Sequence, residues 1–578
     1  MAPAFRCLGA HLLQYRKCLT ALCVTGTLAL TNGALAQTAS DITPESFAPP
    51  LQRLDGAVVF TGQVGTAAPA GSEAIGITLS GVALRDPLPQ MAAANQAYVD
   101  RLTRGRIPVS ELFEATADLE AAYAEAGFIL ARVVLPQQQL QDGGRLQVVV
   151  VDGYIEEIDT SQVPQEIRPR IDALTSGLVQ RRGLRQGELE RRLLLAGDVP
   201  GTALRSAIAP GSDRGAAIIG LDPQYQRVTG FVGFSNSVGS ELGSVALDAG
   251  VDANSAFGLG ETLYARISGA PQALFSGDPR SRIIAFGGVV PVNLSGTSVN
   301  LEFTFSDTTP DNPVAPARSD FDRQSLRVIH PFIRGRQFNL SGQLALDLQQ
   351  DRQTLVGGAD IYYDRLAVLR ATGNLTYLHN DNAFTSASLT LSQGLDGLGA
   401  RTAASAAGGT PLSRAGTDAT FTKLAATVSH SRSLTESISL SLFGRFQSSF
   451  GSPLPSSEQF SLVGASELST FDSGALKGDS GWLLRAEVST RFESQVGQVP
   501  LRLHPYVFLA GGMAHLAQPT ALEQAKTRAI AYGIGIDIFT ATNSSFRSSS
   551  LRIEFGRGER NDAVPDDNRF SISGTFRF

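Results

Sequence analysis

The chain has 578 residues, 48 basic and 54 acidic, for a formal charge of −6, and only 18% of it is charged. Its 59 glycines and 28 prolines are spread along the length, and mean hydropathy is close to zero. This composition excludes a disordered acidic chain, a collagen and a basic nucleic-acid binder, and the length allows several domains.

In residues 1–36, Arg6, Arg16 and Lys17 precede an apolar run from Leu19 to Leu30, and Ala34-Leu35-Ala36 stand before Gln37. A basic start, a short apolar run and a small-x-small site predict a secretory signal peptide, and the run is too short for an anchor. Cleavage after Ala36 removes Cys7, Cys18 and Cys23 with three basic residues, leaving 45 basic against 54 acidic, or −9. The exported chain then has no disulfide, thiolate metal site or cysteine nucleophile. Residues 37–71 are rich in Ala, Pro, Gly and Thr and read as a linker, without an amphipathic helix.

Residues 72–158 and 159–222 read as two α+β modules. Ser110 is expected to cap a helix whose apolar positions Leu112, Ala115, Leu119, Ala122, Tyr123 and Ala126 keep the 3.6 period, with Gly127 as its stop. Strand patterns flank it at Ile75–Leu84, Phe128–Leu135 and Leu146–Val151, and Asp142-Gly143-Gly144 makes a turn. A second helix runs from Leu189 to Ala196.

From 223 to 578 the two-residue period takes over. Val299, Leu301, Phe303 and Phe305 alternate with Asn300, Glu302, Thr304 and Ser306, and the last segment alternates Phe570, Ile572, Gly574, Phe576 and Phe578 with Ser571, Ser573, Thr575 and Arg577. Strands with one apolar and one polar face suit either a soluble sandwich array or a membrane barrel. Export, little charge on the alternate face and the aromatic end favour the barrel, since in lipid only a closed sheet pairs all its backbone groups. About 350 residues hold roughly 14 to 18 strands.

Six short motifs in order then carry a resemblance. The stretch Leu119–Ile158, LEAAYAEAGFILARVVLPQQQLQDGGRLQVVVVDGYIEEI, resembles the first polypeptide-transport-associated (POTRA) module of two-partner secretion transporters, the TpsB proteins of the ShlB/FhaC/HecB type and relatives of BamA. LRQGELERRLLLAGDVPG, from Leu184, is similar to the next module. Ser235-Asn236 with Gly239-Ser240, then Gly258-Leu259-Gly260-Glu261, resemble the barrel start, His330-Pro331-Phe332-Ile333-Arg334 with Asn339-Leu340 a later strand start, and Phe578 the usual last residue. The resemblance implies a membrane β-barrel of about 16 antiparallel strands preceded by two periplasmic α+β POTRA modules. It implies an outer-membrane translocator that captures an unfolded exported TpsA-type β-helical partner, of the haemolysin or adhesin type, and secretes it without ATP, with activation of that cargo left open. Such a translocator sits in outer-membrane lipid and is inserted by the barrel-assembly machinery, with Phe576 and Phe578 as the assembly signal. In the first module Phe128, Val133 and Leu135 are expected to fill the core, leaving Arg132 and Gln138 as candidate partner contacts.

The chain also departs from the family. There a long loop folds into the barrel and ends in Val-Arg-Gly-Tyr, whose arginine pairs with the aspartate of a Phe-x-Asp motif on the wall. Here Leu468-Ser469-Thr470-Phe471 stand in the loop frame and Phe508-Leu509-Ala510 in the wall frame, so both charges are missing. An arginine left inside without its carboxylate would be costly, so a joint loss is coherent. The loop is expected to enter the barrel all the same, held by hydroxyl and backbone bonds around Ser469 to Asp472, and to close the channel without a plug helix.

No enzyme is expected. The five histidines after residue 36 are scattered, there is no His-Glu-x-x-His or Gly-x-Ser-x-Gly, and neither a metal nor a cofactor is called for. The lone Trp482 is expected at the membrane rim. The alternatives kept beside secretion are a BamA-like assembly factor and a passive pore.

Overall fold

The computed structural model describes residues 37–50, 68–312, 316–521, 523–541, 546–562 and 566–578. The signal peptide predicted at 1–36 lies outside the described residues.

The first module packs helices Ala92–Leu102 and Val109–Glu125 on a three-stranded sheet. Gly81–Arg85 runs parallel to the central Arg145–Val151, and Arg132–Val134 is antiparallel on its other side. Leu102, Leu112, Tyr123, Leu146 and Val148 form a closed core, which also takes in Phe128 and Val133. Ser110 lies inside the helix and does not cap it, since the helix begins at Val109 after Pro108; it ends where Gly127 adopts φ +91°, a conformation a Cβ would oppose. The expected strand Ile75–Leu84 is broken in two, because Gly76–Thr78 leaves the sheet to pair with Arg106–Pro108. Phe128–Leu135 shortens to Arg132–Val134, because a turn closes between Phe128 and Ala131.

The second module sets helices Arg168–Thr175 and Gln186–Gly197 against a sheet ordered Tyr154–Asp159, Ala216–Tyr225, Thr202–Pro210. Its core, with Ile155, Ile171, Leu178, Leu189 and Ile219 fully buried, is separate from the first.

From Val228 onward the strands form one closed antiparallel barrel. It has 16 strands, counting Ser480–Thr490 and its continuation Phe492–Val496 as one, since both pair with Val499–His515. The two-residue period sets its faces. Leu301 and Phe305 point outward, exposed at 47% and 41%, while Asn300, Glu302, Thr304 and Ser306 between them are sealed inside. Trp482 points outward as well. The first strand, Val228–Ser235, closes on the last, Asp567–Arg577, in a short register from Ser235↔Ser573 to Phe231↔Arg577. Phe578 extends it by exchanging both backbone bonds with Gly230 at 3.0 Å. Among the described residues no helix is long and apolar enough to cross a membrane; the strands do the crossing.

Candidate functional site

A barrel wall lined with polar side chains needs partners for them, and two segments of the chain supply these from inside the lumen. The first is residues 37–50, expected above as a helix-free linker. It carries one helical turn, Ala39–Ile42, with Asp41 accepting the Thr38 N–H at 3.0 Å. A four-residue helix is too short for any periodicity to mark it in a sequence.

At the end of the barrel far from the modules, Gln37 bonds Ser473 and accepts the Gly239 N–H. Ala39 then donates to Ser319, and Ser40 to Asp351 at 2.8 Å, a carboxylate that also accepts Tyr362. Nearer the modules, Arg323 holds the Pro44 carbonyl, Arg327 holds that of Glu45, and Glu302 accepts the Phe47 N–H at 2.9 Å. Glu302 is fully buried and takes Tyr264 and both arginines as well, so its charge is balanced.

The second segment is the loop before Ser480. Glu458 anchors its base by bonding Arg370 and Lys423. Phe460, Leu462, Leu468, Phe471 and Leu476 pack with Leu483, Tyr506, Phe508 and Ala510 of the wall. Leu468, Ser469, Thr470 and Phe471 are all buried inside the barrel. Their seat is a pair of wall glycines: a Cβ at Gly558 would fall 2.5 Å from both the Phe471 ring and the Thr470 hydroxyl, and one at Gly556 would strike Thr470 and Phe508.

The charges missing from the loop and wall motifs stand elsewhere on the wall. Arg485 lies directly across from Ala510 in register, and its guanidinium sits 4.0 Å from the centre of the Phe508 ring. The small side chain of Ala510 leaves that space open. Arg485 pairs with Glu554 and Glu487, and donates to the Glu467 carbonyl at 2.8 Å and the Ser469 hydroxyl at 3.0 Å. Ser469 in turn donates to Glu554, which also accepts Tyr506 at 2.9 Å. Ser571 reaches the Ser469 carbonyl at 3.2 Å, and Asp472 pairs with Arg569. A cavity of about 40 Å³ remains beside the loop tip, against Ser469, Phe471, Arg552, Glu554 and Ser571. The loop is therefore neutral at its contact point, and a full ion pair stands on the wall behind it.

Sequence reasoning missed Arg485, Glu487, Arg552 and Glu554. Their signal is opposite charges two residues apart on the inward face of two strands, Arg485-x-Glu487 and Arg552-x-Glu554, the first in a strand with no other charge. The two lumen segments also meet: Asp41 pairs with the half-buried Lys477, and Gly474 packs on Asp41.

The candidate partner contacts are placed apart from the lumen. Arg132 pairs with Glu120 at 2.7 Å, and the other oxygen of Glu120 accepts the Val133 N–H at 2.9 Å, which caps that edge strand. Gln138 spends its amide on both backbone groups of Gln147 and on the Pro136 carbonyl. Both side chains thus serve the module itself. The opposite edge strand is Gly81–Arg85.

A lipid-facing closed sheet, a lumen stopped by the chain's own segments and two small modules at one mouth define a plugged outer-membrane β-barrel. Residues 217–538 match the haemolysin secretion/activation protein family ShlB/FhaC/HecB, and residues 77–153 match the ShlB-type POTRA domain. The chain belongs to the ShlB/FhaC/HecB family.

It is 24% identical over 435 residues to the outer membrane transporter CdiB of Escherichia coli O6:K15:H31 (strain 536 / UPEC), covering 73% of this chain and 70% of that one. Among solved structures, CdiB from Escherichia coli shares the fold with a TM-score of 0.70 at 20% identity over 91% of this chain and 94% of that one. CdiB from Acinetobacter baumannii follows at 0.60 and 16% identity, covering 98% of both chains. BamA from Haemophilus ducreyi lacking POTRA domains 1–3 reaches 0.50 at 14% identity, over 87% and 100%. The chain is an outer-membrane translocator of the two-partner secretion type, with its POTRA modules in the periplasm; its family is one of transporters that work with TpsA exoproteins.

Proposed function

We propose that this chain captures one unfolded exported TpsA-type β-helical protein on its POTRA modules and passes it through the lumen once residues 37–50 and the loop before Ser480 have moved. The observation that carries this is the lumen itself. Both segments are held by polar contacts to the wall rather than built into the sheet, so they can leave without breaking a strand pair.

Capture would use strand addition, which draws affinity from main-chain bonds and asks little of sequence. The Gly81–Arg85 edge suits it better than Arg132–Val134, where Glu120 already occupies an outward N–H. Folding of the passenger outside would make return unfavourable and supply the drive. The barrel's outer face meets outer-membrane lipid, and Phe576 and Phe578 serve as the signal read by the barrel-assembly machinery.

The test is deletion of this chain's gene in cells expressing a neighbouring long exported β-helical chain. That passenger should vanish from the medium and accumulate in the periplasm, and the complemented strain should restore it. Normal export from the deletion strain would reject the proposal.

A further inference from the structure

The motif His330–Arg334, expected at a strand start, ends the strand Ala317–Arg334 instead, and neither it nor the Gly-Asp-Val-Pro-Gly that closes the second module's helix takes part in the lumen. They meet each other instead. Arg334 donates to both oxygens of Asp198, at 2.9 and 2.6 Å, and both side chains are only 13% exposed. The third donor of the fork goes to Asn339 at 2.8 Å, whose oxygen also accepts the Gly335 N–H at 3.1 Å. Asn339 thus holds the barrel turn and the guanidinium together.

Each partner stands where local structure disfavours it. Asp198 caps the C-terminal end of Gln186–Gly197, where exposed carbonyls repel a carboxylate. Burial raises its carboxyl above the ordinary range, and Arg334 pulls it back only in part. Arg334 follows a break in register between Pro331 and Ile333, the kind of bulge that re-aims the end of a strand. A second contact runs alongside: Arg191, on the same helix, donates to the carbonyls of Ser295 at 2.9 Å and Pro331 at 2.8 Å. Leu195 fills the space over Gly296, where a Cβ would come within 2.7 Å of it. One helix of the module is therefore seated on two neighbouring barrel turns, away from the covalent link at Tyr225–Val228.

We propose that Asp198 and Arg334 are positioning residues: a fixed joint that sets the angle of the POTRA pair over the barrel mouth, and that this angle is required to hand the passenger to the lumen. The second half rests on the secretion reading above. Without the joint, the helix keeps only the neutral carbonyl contacts of Arg191 and the packing of Leu195 beside the covalent link, and a strand held at Gly81–Arg85 no longer arrives in line with the pore.

The chain after residue 36 lacks cysteine, so E125C in the first module and E436C in a barrel turn can be spin-labelled in the full protein in outer-membrane vesicles. The unaltered joint should give a narrow distance distribution. Asp198→Ala or Arg334→Ala should broaden it and lower passenger export by roughly tenfold at unchanged outer-membrane level, as expected for loss of a buried hydrogen-bonded charge pair. Arg334→Lys keeps the charge without the fork and should fall between. The exchange D198R with R334D should narrow the distribution again and recover most of the export. Unchanged distances in the single variants, broadened distances with undiminished export, or no recovery in the exchange would each overturn the joint. Absence of export from the unaltered protein would instead overturn the secretion reading, while the distances still report on the joint.

Discussion

At Ser469 a hydroxyl, not a charge, makes the loop's contact with the buried ion pair on the wall, and the consequence is a neutral kind of latch. The wall keeps its own ion pair, Arg485 with Glu554, and the loop joins it as a neutral guest. Withdrawing Ser469 alone leaves Arg485 and Glu554 still paired on the wall, while full release of the loop also parts Asp472 from Arg569 and Glu467 from Arg445. Ser469→Ala should lower the thermal stability of the loop-closed state by about 1–3 kcal/mol and raise pore conductance in planar bilayers. Glu554→Gln strips Arg485 of a buried partner and should cost about 3–5 kcal/mol, read as a lower urea midpoint for the barrel. If Glu554→Gln proved milder than Ser469→Ala, the pair would not be the anchor. Gly558→Leu should open the pore further than either, because its side chain occupies the Phe471 seat. The absence of the loop arginine was legible in the residues themselves. Its replacement was not, because Arg485 and Ala510 meet through strand register and lie far apart in sequence.

At the scale of elements, legibility followed length and period. The barrel strands announce themselves because each repeats the same in-and-out choice many times. The helix beginning near Ser110 does so through six apolar positions and a glycine stop. Helix Ala92–Leu102, with its run of small alanines, and Arg168–Thr175, only eight residues long, carry too little contrast. The turn Ala39–Ile42 carries none, since its position is owed to Ser319, Asp351 and Lys477 in distant elements. Deleting residues 39–50 should raise single-channel conductance several-fold without lowering barrel stability. An unchanged conductance would show that the loop alone stops the pore. Asp41→Asn should couple the two segments less tightly, making loop opening more frequent in the same recordings.

For the whole molecule, the closing contact is the final residue. Phe578 exchanges two backbone bonds with Gly230, and its ring stacks with that of Phe576 at 6.5 Å. Deleting Phe578 should leave the chain aggregated in the periplasm; normal insertion, scored by heat-modifiable migration of outer-membrane fractions, would reject its role as an assembly signal. The composition also finds its explanation at this scale, since low charge and near-zero hydropathy are averages over a lipid face and a polar lumen. One further consequence concerns order in time. Residues 37–50 lie inside a ring made from residues 228–577 of the same chain, so the native molecule is a thread passed through its own hoop. Either the hoop is closed last, around a thread already in place, or the thread is drawn in afterwards from the periplasmic side. The short seam between first and last strands is where the hoop can stay open while the thread is laid, which makes the sequence of assembly a property of topology as much as of affinity.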